Sequence, residues 1–115
     1  MSPRQPKDGD PGEPGEAPAP PKGWSWADLL DASAMWENAI GYLPPGRIGR
    51  ALKPLVASFG WVQIKPWWKQ YLEMRPLQDY RGDFTRTEPD YRFMSPEEFV
   101  RTYRIWQRFS EAADA

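Results

Sequence analysis

The side chains that could do chemistry in this chain are carboxylates, arginines and lysines, because the sequence contains no cysteine and no histidine. Without them it cannot build a Ser–His–Asp triad, a thiolate nucleophile or an ordinary zinc site. The two acid pairs, Asp28 with Asp31 and Glu97 with Glu98, fall where helices should begin. There they indicate helix capping and dipole compensation rather than catalysis. The sequence therefore predicts a non-catalytic protein with no cofactor, no metal and no small-molecule substrate.

Basic side chains recur at helical spacing in three segments of a chain whose formal net charge is only −1. Residues 46–76 alone carry six cations against one acid. Like charges one turn apart repel by a few tenths of a kcal/mol per pair, whereas a polyanion would turn that repulsion into attraction. A solvated helix face is the alternative interpretation. The predicted nucleic-acid-binding residues are Arg47, Arg50, Lys53, Lys65, Lys69, Arg101, Arg104 and Arg108.

Two adjacent tryptophans, Trp67 and Trp68, are the second candidate feature. Neighbouring residues of a helix point in different directions, so one of the two should face away from the core. An exposed tryptophan can stack on bases or anchor a protein partner, and packing against a loop is the alternative. We predict Trp67 as the partner-binding residue.

The elements that must position these side chains are four amphipathic helices. Ser25 and Ser95 each precede an acid by three residues, which predicts two capping boxes, and Gly60 predicts a helix end. Met94 and Phe99 should form a hydrophobic staple across the second of these helix starts. The predicted helices cover about residues 26–40, 46–59, 62–75 and 96–110. The second and third have the outline of a helix-turn-helix.

Two features interrupt this pattern. Pro54 removes one backbone hydrogen bond from the second helix, so we expect a kink near residues 50–53 or two short helices. Residues 77–93 lack a helical period and contain Gly82 and Pro89. They predict a long loop, or a short hairpin around residues 81–83, and a loop of this length in a compact domain is often functional.

The beginning of the chain differs in composition from the rest. Residues 1–23 hold half of the fourteen prolines and four of the nine glycines. They cannot bury enough apolar surface to offset their ordering entropy. We therefore predict a disordered tail, residues 1–23, before a single all-α domain, residues 24–115, of three to four short helices and one long loop. Without an apolar run of ~20 residues or a signal-peptide core, we expect a cytoplasmic protein with no membrane partner.

Several segments resemble a known type of protein. They are Gly46-Arg47-Ile48-Gly49-Arg50-Ala51-Leu52-Lys53-Pro54-Leu55-Val56, Gly60-Trp61, Trp68-Lys69-Gln70-Tyr71-Leu72, and Ser95-Pro96-Glu97-Glu98-Phe99 with Tyr103 and Trp106. Together they are similar to small helical modules of phage and mobile-element replication proteins, of the replisome-organiser or helicase-loader type. Loop 77–93 is longer than that pattern usually has. The resemblance implies a phage-encoded, DNA-associated accessory protein in a bacterial or phage-infected cell, and it transfers no site residues.

Two functions therefore compete. The first is a non-catalytic DNA-binding or replication-associated accessory protein that contacts phosphates through basic helix faces. The second is a protein–protein interaction module, such as a virion or host-takeover component, that uses exposed aromatic residues and loop 77–93.

Overall fold

The structure is a computed structural model that describes residues 24–114. It contains four α-helices, α1 (Trp26–Ala39), α2 (Pro45–Phe59), α3 (Trp61–Met74) and α4 (Pro96–Asp114), and a 3-10 turn at Arg75–Leu77. Within this range there is no strand, which confirms the predicted all-α fold class. The predicted helix bounds agree to within one residue except at the end of α4, which is four residues longer. The predicted disordered tail, residues 1–23, lies outside the described range.

Successive helices run in opposite directions. Arg47 at the start of α2 and Arg75 at the end of α3 bind Glu97 and Glu98, both in the first turn of α4. The start of α2 therefore lies near the end of α3, and α4 returns along α3. Both α2 and α3 pack against α1 and against α4. The flanking helices α1 and α4 thus lie on opposite sides of the central α2–α3 pair.

An aromatic cluster on α3 fills the core between these helices. Trp68 is fully buried, stacks on Trp36 of α1 with ring centroids 5.5 Å apart, and meets Phe99 of α4 edge-on at 5.0 Å. Its indole Nε1 donates a hydrogen bond to the Ala32 carbonyl oxygen at 3.1 Å, so burial leaves no polar atom of this side chain without a partner. A single side chain therefore joins the two flanking helices to the central pair.

Gly60 alone separates α2 from α3. Its φ of 81° and ψ of 153° lie in a region that is open essentially only to glycine. Its N–H donates to the Val56 carbonyl at 2.8 Å, and its own carbonyl accepts from the Ile64 N–H at 3.2 Å. One residue thus ends one helix and begins the next, which confirms the predicted helix end.

The helix that the structure interrupts is α4, and α2 is not divided. α2 is a single helix through Pro54, so the prediction of two short helices is wrong. In α4 the backbone leaves the helical region at Thr102, with φ −118° and ψ 17°. The Thr102 hydroxyl donates to the Glu98 carbonyl at 2.8 Å and accepts from Trp106 Nε1 at 3.0 Å. Hydroxyl bonds to the carbonyl four residues back often bend helices, whereas Pro54 is exposed and loses only one bond.

The start of α4 departs from the predicted capping box. Ser95 does cap the helix, because its Oγ accepts from the Glu98 N–H at 3.0 Å. The Glu98 carboxylate, however, does not return to Ser95: it accepts from the Tyr71 hydroxyl at 2.7 Å and from Arg75 Nε at 2.8 Å. The Ser95 N–H donates to the Tyr71 hydroxyl oxygen at 3.1 Å instead.

The Tyr71 side chain has a pKa above its ordinary value. Burial is the main cause, and the hydrogen bond to Glu98 raises this pKa further. We call Tyr71, Arg75 and Glu98 the polar triad.

Replacing Ser95 with alanine should lower the free energy of unfolding by about 1 kcal/mol, the usual contribution of an N-cap side chain. Ser58 is an exposed position inside α2 and supplies the matched control, because Ser58→Ala removes no cap and should not reduce stability. Urea denaturation followed by circular dichroism measures both variants. Equal stability of the two variants would show that the Ser95 side chain does not cap α4.

Candidate nucleic-acid interface

Two of the predicted phosphate-binding cations are bound to acids of neighbouring helices. Arg47 Nη2 lies 2.9 Å from Glu97 Oε1, and Lys65 Nζ lies 2.8 Å from Asp31 Oδ2. The four side chains are 38–50% exposed, so each pair contributes at most about 1 kcal/mol to stability. Their main effect is on the surface charge, since each acid offsets the cation that was predicted to attract phosphate.

Lys65 and Lys69 lie on the side of the molecule that α1 covers. Lys69 and Glu73 line a groove of about 310 Å³ together with α1 residues, among them Met35 and Asn38. α1 carries acids at positions 28, 31 and 37 and no lysine or arginine. The structure therefore places these two lysines beside an acidic helix and does not bring them together with the arginines of α4.

The three cations of α2 do not share one face. Residues three apart on an α-helix differ by about 60° around its axis, because one turn takes 3.6 residues. Arg47 points towards α4, where it meets Glu97, so Arg50 and Lys53 turn progressively away from α4. Both are exposed and form no ion pair with an acid among residues 24–114. They extend the positive surface of α2 but do not complete that of α4.

Among the described helices, α4 carries the most exposed cations that form no ion pair. Arg101, Arg104 and Arg108 are spaced i, i+3, i+7 and are all exposed, and none makes an ion pair with an acid in the described part of the chain. The Arg104 guanidinium lies over the Tyr103 ring, 5.9 Å from its centroid. Arg108 borders a groove of about 360 Å³ between α4 and the turn at residues 78–84. We call these three residues the arginine face.

The prediction that Trp67 is exposed is wrong. Only 4% of its surface is accessible, because Phe59 of α2 packs edge-on against it at 5.1 Å and Tyr103 of α4 stacks on it at 5.8 Å. Its neighbour Trp68 is buried as well. Two adjacent tryptophans can both be buried here because α3 is covered by helices on several sides. Trp67 is therefore a core residue and is not available to a partner.

Loop 78–93 has no helix or strand, but two aspartates hold it in place through hydrogen bonds and ion pairs. Asp79 accepts hydrogen bonds from the Thr85 hydroxyl at 2.8 Å and from the Arg81 N–H at 2.8 Å, and these bonds lower its pKa. It closes a tight turn in which the Gly82 N–H donates to the Asp79 carbonyl at 3.0 Å. The hairpin considered around residues 81–83 is thus a turn without strands in the described residues.

Asp90 ties the second half of this loop to the end of α3. Its carboxylate binds the Arg92 guanidinium at 2.9 Å and Arg86 Nη2 at 3.4 Å. These contacts hold the pKa of Asp90 well below the usual range, and the contact with Arg92 has the larger effect. Its N–H donates to the Pro76 carbonyl at 2.8 Å. Three aromatic side chains of this loop are exposed: Tyr80, Tyr91 and Phe93.

Residues 24–114 contain no group of three or more acidic side chains placed to hold a metal ion. None of the four helices combines the length and the apolar character needed to cross a membrane.

Comparison of this chain with protein-family models, curated proteins and solved structures finds no match.

Proposed function

We propose that this chain is a non-catalytic nucleic-acid-binding protein, that its ligand is DNA, and that it binds phosphates through the arginine face of α4. The observation that supports this most concerns the arginine face: its three cations are exposed and form no ion pair with an acid among residues 24–113. The cations that point towards a neighbouring helix, Arg47 and Lys65, are by contrast ion-paired. The resemblance of residues 46–106 to replication modules favours a replication-associated role.

Binding through this face would depend on phosphates rather than on base edges. Arginine forks match phosphate oxygens, and each neutralised phosphate releases counterions, so affinity falls steeply with salt. The kink at Thr102 divides α4 between Arg101 and Arg104, so the face is not one straight helix surface. We therefore expect little sequence preference and a strong salt dependence.

Changing Arg101, Arg104 and Arg108 together to glutamine should lower DNA affinity by a similar factor for every sequence tested. The slope of log affinity against log salt should shrink by about 0.9 per lost contact on duplex DNA, or about 0.7 on single strands. Fluorescence anisotropy at several salt concentrations measures both. The fold should survive, because the three side chains are exposed.

A triple change of Lys53, Lys65 and Lys69 to glutamine is the matched control, since it alters the net charge equally at exposed positions of α2 and α3, away from the arginine face. It should retain most of the affinity and of the salt slope. Equal losses in the two triple variants would indicate a general charge effect and reject the arginine face as the binding surface. Absence of DNA binding by the unchanged chain at about 50 mM salt would reject the proposed function itself.

A protein-interaction module is the second candidate, and the ordered loop favours it. Tyr80 is 86% exposed and Phe93 is 63% exposed. The Arg81 and Arg92 guanidinium groups lie 5.5 and 5.3 Å from the centroids of these two rings. Tyrosine, phenylalanine and arginine are enriched in protein interfaces. A module of this kind would show no DNA affinity near about 100 mM salt, so the same titration separates the two candidates.

A further inference from the structure

The sequence contains an acidic segment whose charge is opposite to that of the arginine face. Residues 8–16 include Asp8, Asp10, Glu13 and Glu16, and no cation interrupts them between Lys7 and Lys22. We propose that this segment binds in cis to the arginine face and competes there with nucleic acid. The inference rests on the proposed function and adds a regulatory partner for the same surface.

The start of the described chain limits how far this segment can reach. Trp24 packs against Trp61 with ring centroids 5.7 Å apart, and Trp67 packs against Tyr103 at 5.8 Å. Trp61 and Trp67 are ~9 Å apart along α3, so Tyr103 lies within roughly 25 Å of Trp24. The eleven residues from Glu13 to Trp24 can span ~36–40 Å, which leaves length for the chain to pass around the helices. Glu13, Asp10 and Asp8 can therefore reach Arg104, which lies against Tyr103.

The charges on the rest of the domain direct the segment to this side. The acids of α1, at positions 28, 31 and 37, would repel it from the opposite side of the molecule. Seven cations form no ion pair with an acid among residues 24–113: Arg50 and Lys53 on α2, Lys69 on α3, Arg81 in the loop, and the three of the arginine face, which is the largest group on one helix. Charge complementarity thus favours α4 over α1 as the docking surface.

Such a contact would be weak and reversible. Exposed ion pairs contribute little individually and are screened by salt. A covalently linked segment, however, acts at an effective concentration of about a millimolar or more, so even weak binding occupies part of the face. Nucleic acid must displace the segment before it binds, which lowers its apparent affinity and the number of counterions released.

The test uses the full chain with four acids neutralised, Asp8→Asn, Asp10→Asn, Glu13→Gln and Glu16→Gln. The matched control neutralises four exposed acids of the domain, Glu37→Gln, Glu73→Gln, Asp83→Asn and Glu88→Gln, which gives the same net charge. Anisotropy titrations with a duplex oligonucleotide at about 50 and 200 mM salt compare the two variants. The side-chain Nε–Hε resonances of the three arginines are recorded without DNA.

We expect the variant in residues 8–16 to bind the duplex about three- to tenfold more tightly than the control at low salt, with a steeper salt slope. The arginine resonances should differ from those of the unchanged chain in this variant and not in the control. Equal affinities in the two variants would overturn the competition, and unchanged resonances would overturn the contact. Shifted resonances in a chain that binds no DNA would support the cis contact while rejecting the proposed function.

Discussion

Replacing Trp68 with alanine should lower the free energy of unfolding by about 3–5 kcal/mol, the usual cost of deleting a large buried aromatic side chain. The fully buried ring contacts Trp36 of α1 and Phe99 of α4, so its loss leaves a cavity where both flanking helices meet α3. Its removal also leaves the Ala32 carbonyl without the indole donor that lies 3.1 Å away. The surrounding rings are large and rigid, which limits how far the core can collapse into the space.

Urea denaturation followed by circular dichroism and tryptophan fluorescence measures this loss. Val62→Ala on the same helix is the control, since Val62 is 86% exposed and its change should stay within about 0.5 kcal/mol. Trp68→Phe keeps an aromatic ring but no indole donor, so its stability should fall between the two. A Trp68→Ala variant as stable as Val62→Ala would mean that α1 and α4 do not share a core through α3.

Replacing Glu98 with alanine should cost about 3 kcal/mol, because it leaves the Arg75 guanidinium without its partner in a site where both side chains are only 16% exposed. It also removes the acceptor of the Tyr71 hydroxyl, which lies 2.7 Å from the Glu98 carboxylate. The polar triad connects α3 to the first turn of α4, so its loss should loosen that junction in particular.

The neighbouring acid, Glu97, supplies a close control for this prediction. Glu97 lies in the same helical turn and has the same interaction with the helix dipole, but it is 48% exposed and its one ion pair among the described residues is with Arg47. Glu97→Ala should therefore cost less than about 1 kcal/mol. Chemical denaturation of both variants at neutral pH gives the difference, and similar costs for the two glutamates would contradict a structural role of the polar triad.

Local signals in the sequence were sufficient for the helices and most of their ends. Ser25 and Asp28 form the predicted capping box, and Gly60 ends α2 with a backbone conformation that other residues rarely adopt. These features depend on residues within a few positions of each other. The sequence therefore predicted the all-α class and the bounds of α1, α2 and α3 closely.

Features that depend on how helices pack could not be predicted in this way. The period of α3 suggested one buried face, but α3 is covered from several sides, which buries Trp67. The sequence spacing placed Arg47 and Lys65 on helices with other cations. That Glu97 pairs with Arg47 and Asp31 with Lys65 follows only from the packing of the helices. The Glu98 carboxylate binds Arg75 instead of the Ser95 N–H, and this too depends on helix packing, because Arg75 is 23 positions away in sequence.

The ordering of loop 78–93 also affects where a protease can cleave this protein. The segment contains three arginines, and a loop of this length between helices would ordinarily be the first place that trypsin cuts. Arg86, however, lies 3.4 Å from the Asp90 carboxylate and donates to the Gln78 carbonyl oxygen at 2.7 Å, and the Asp90 N–H is bonded to the Pro76 carbonyl. Cleavage after Arg86 requires the loop to detach from the 3-10 turn that follows α3. The rate of proteolysis at this bond therefore reports how often that detachment occurs, which makes the loop a built-in reporter of local unfolding.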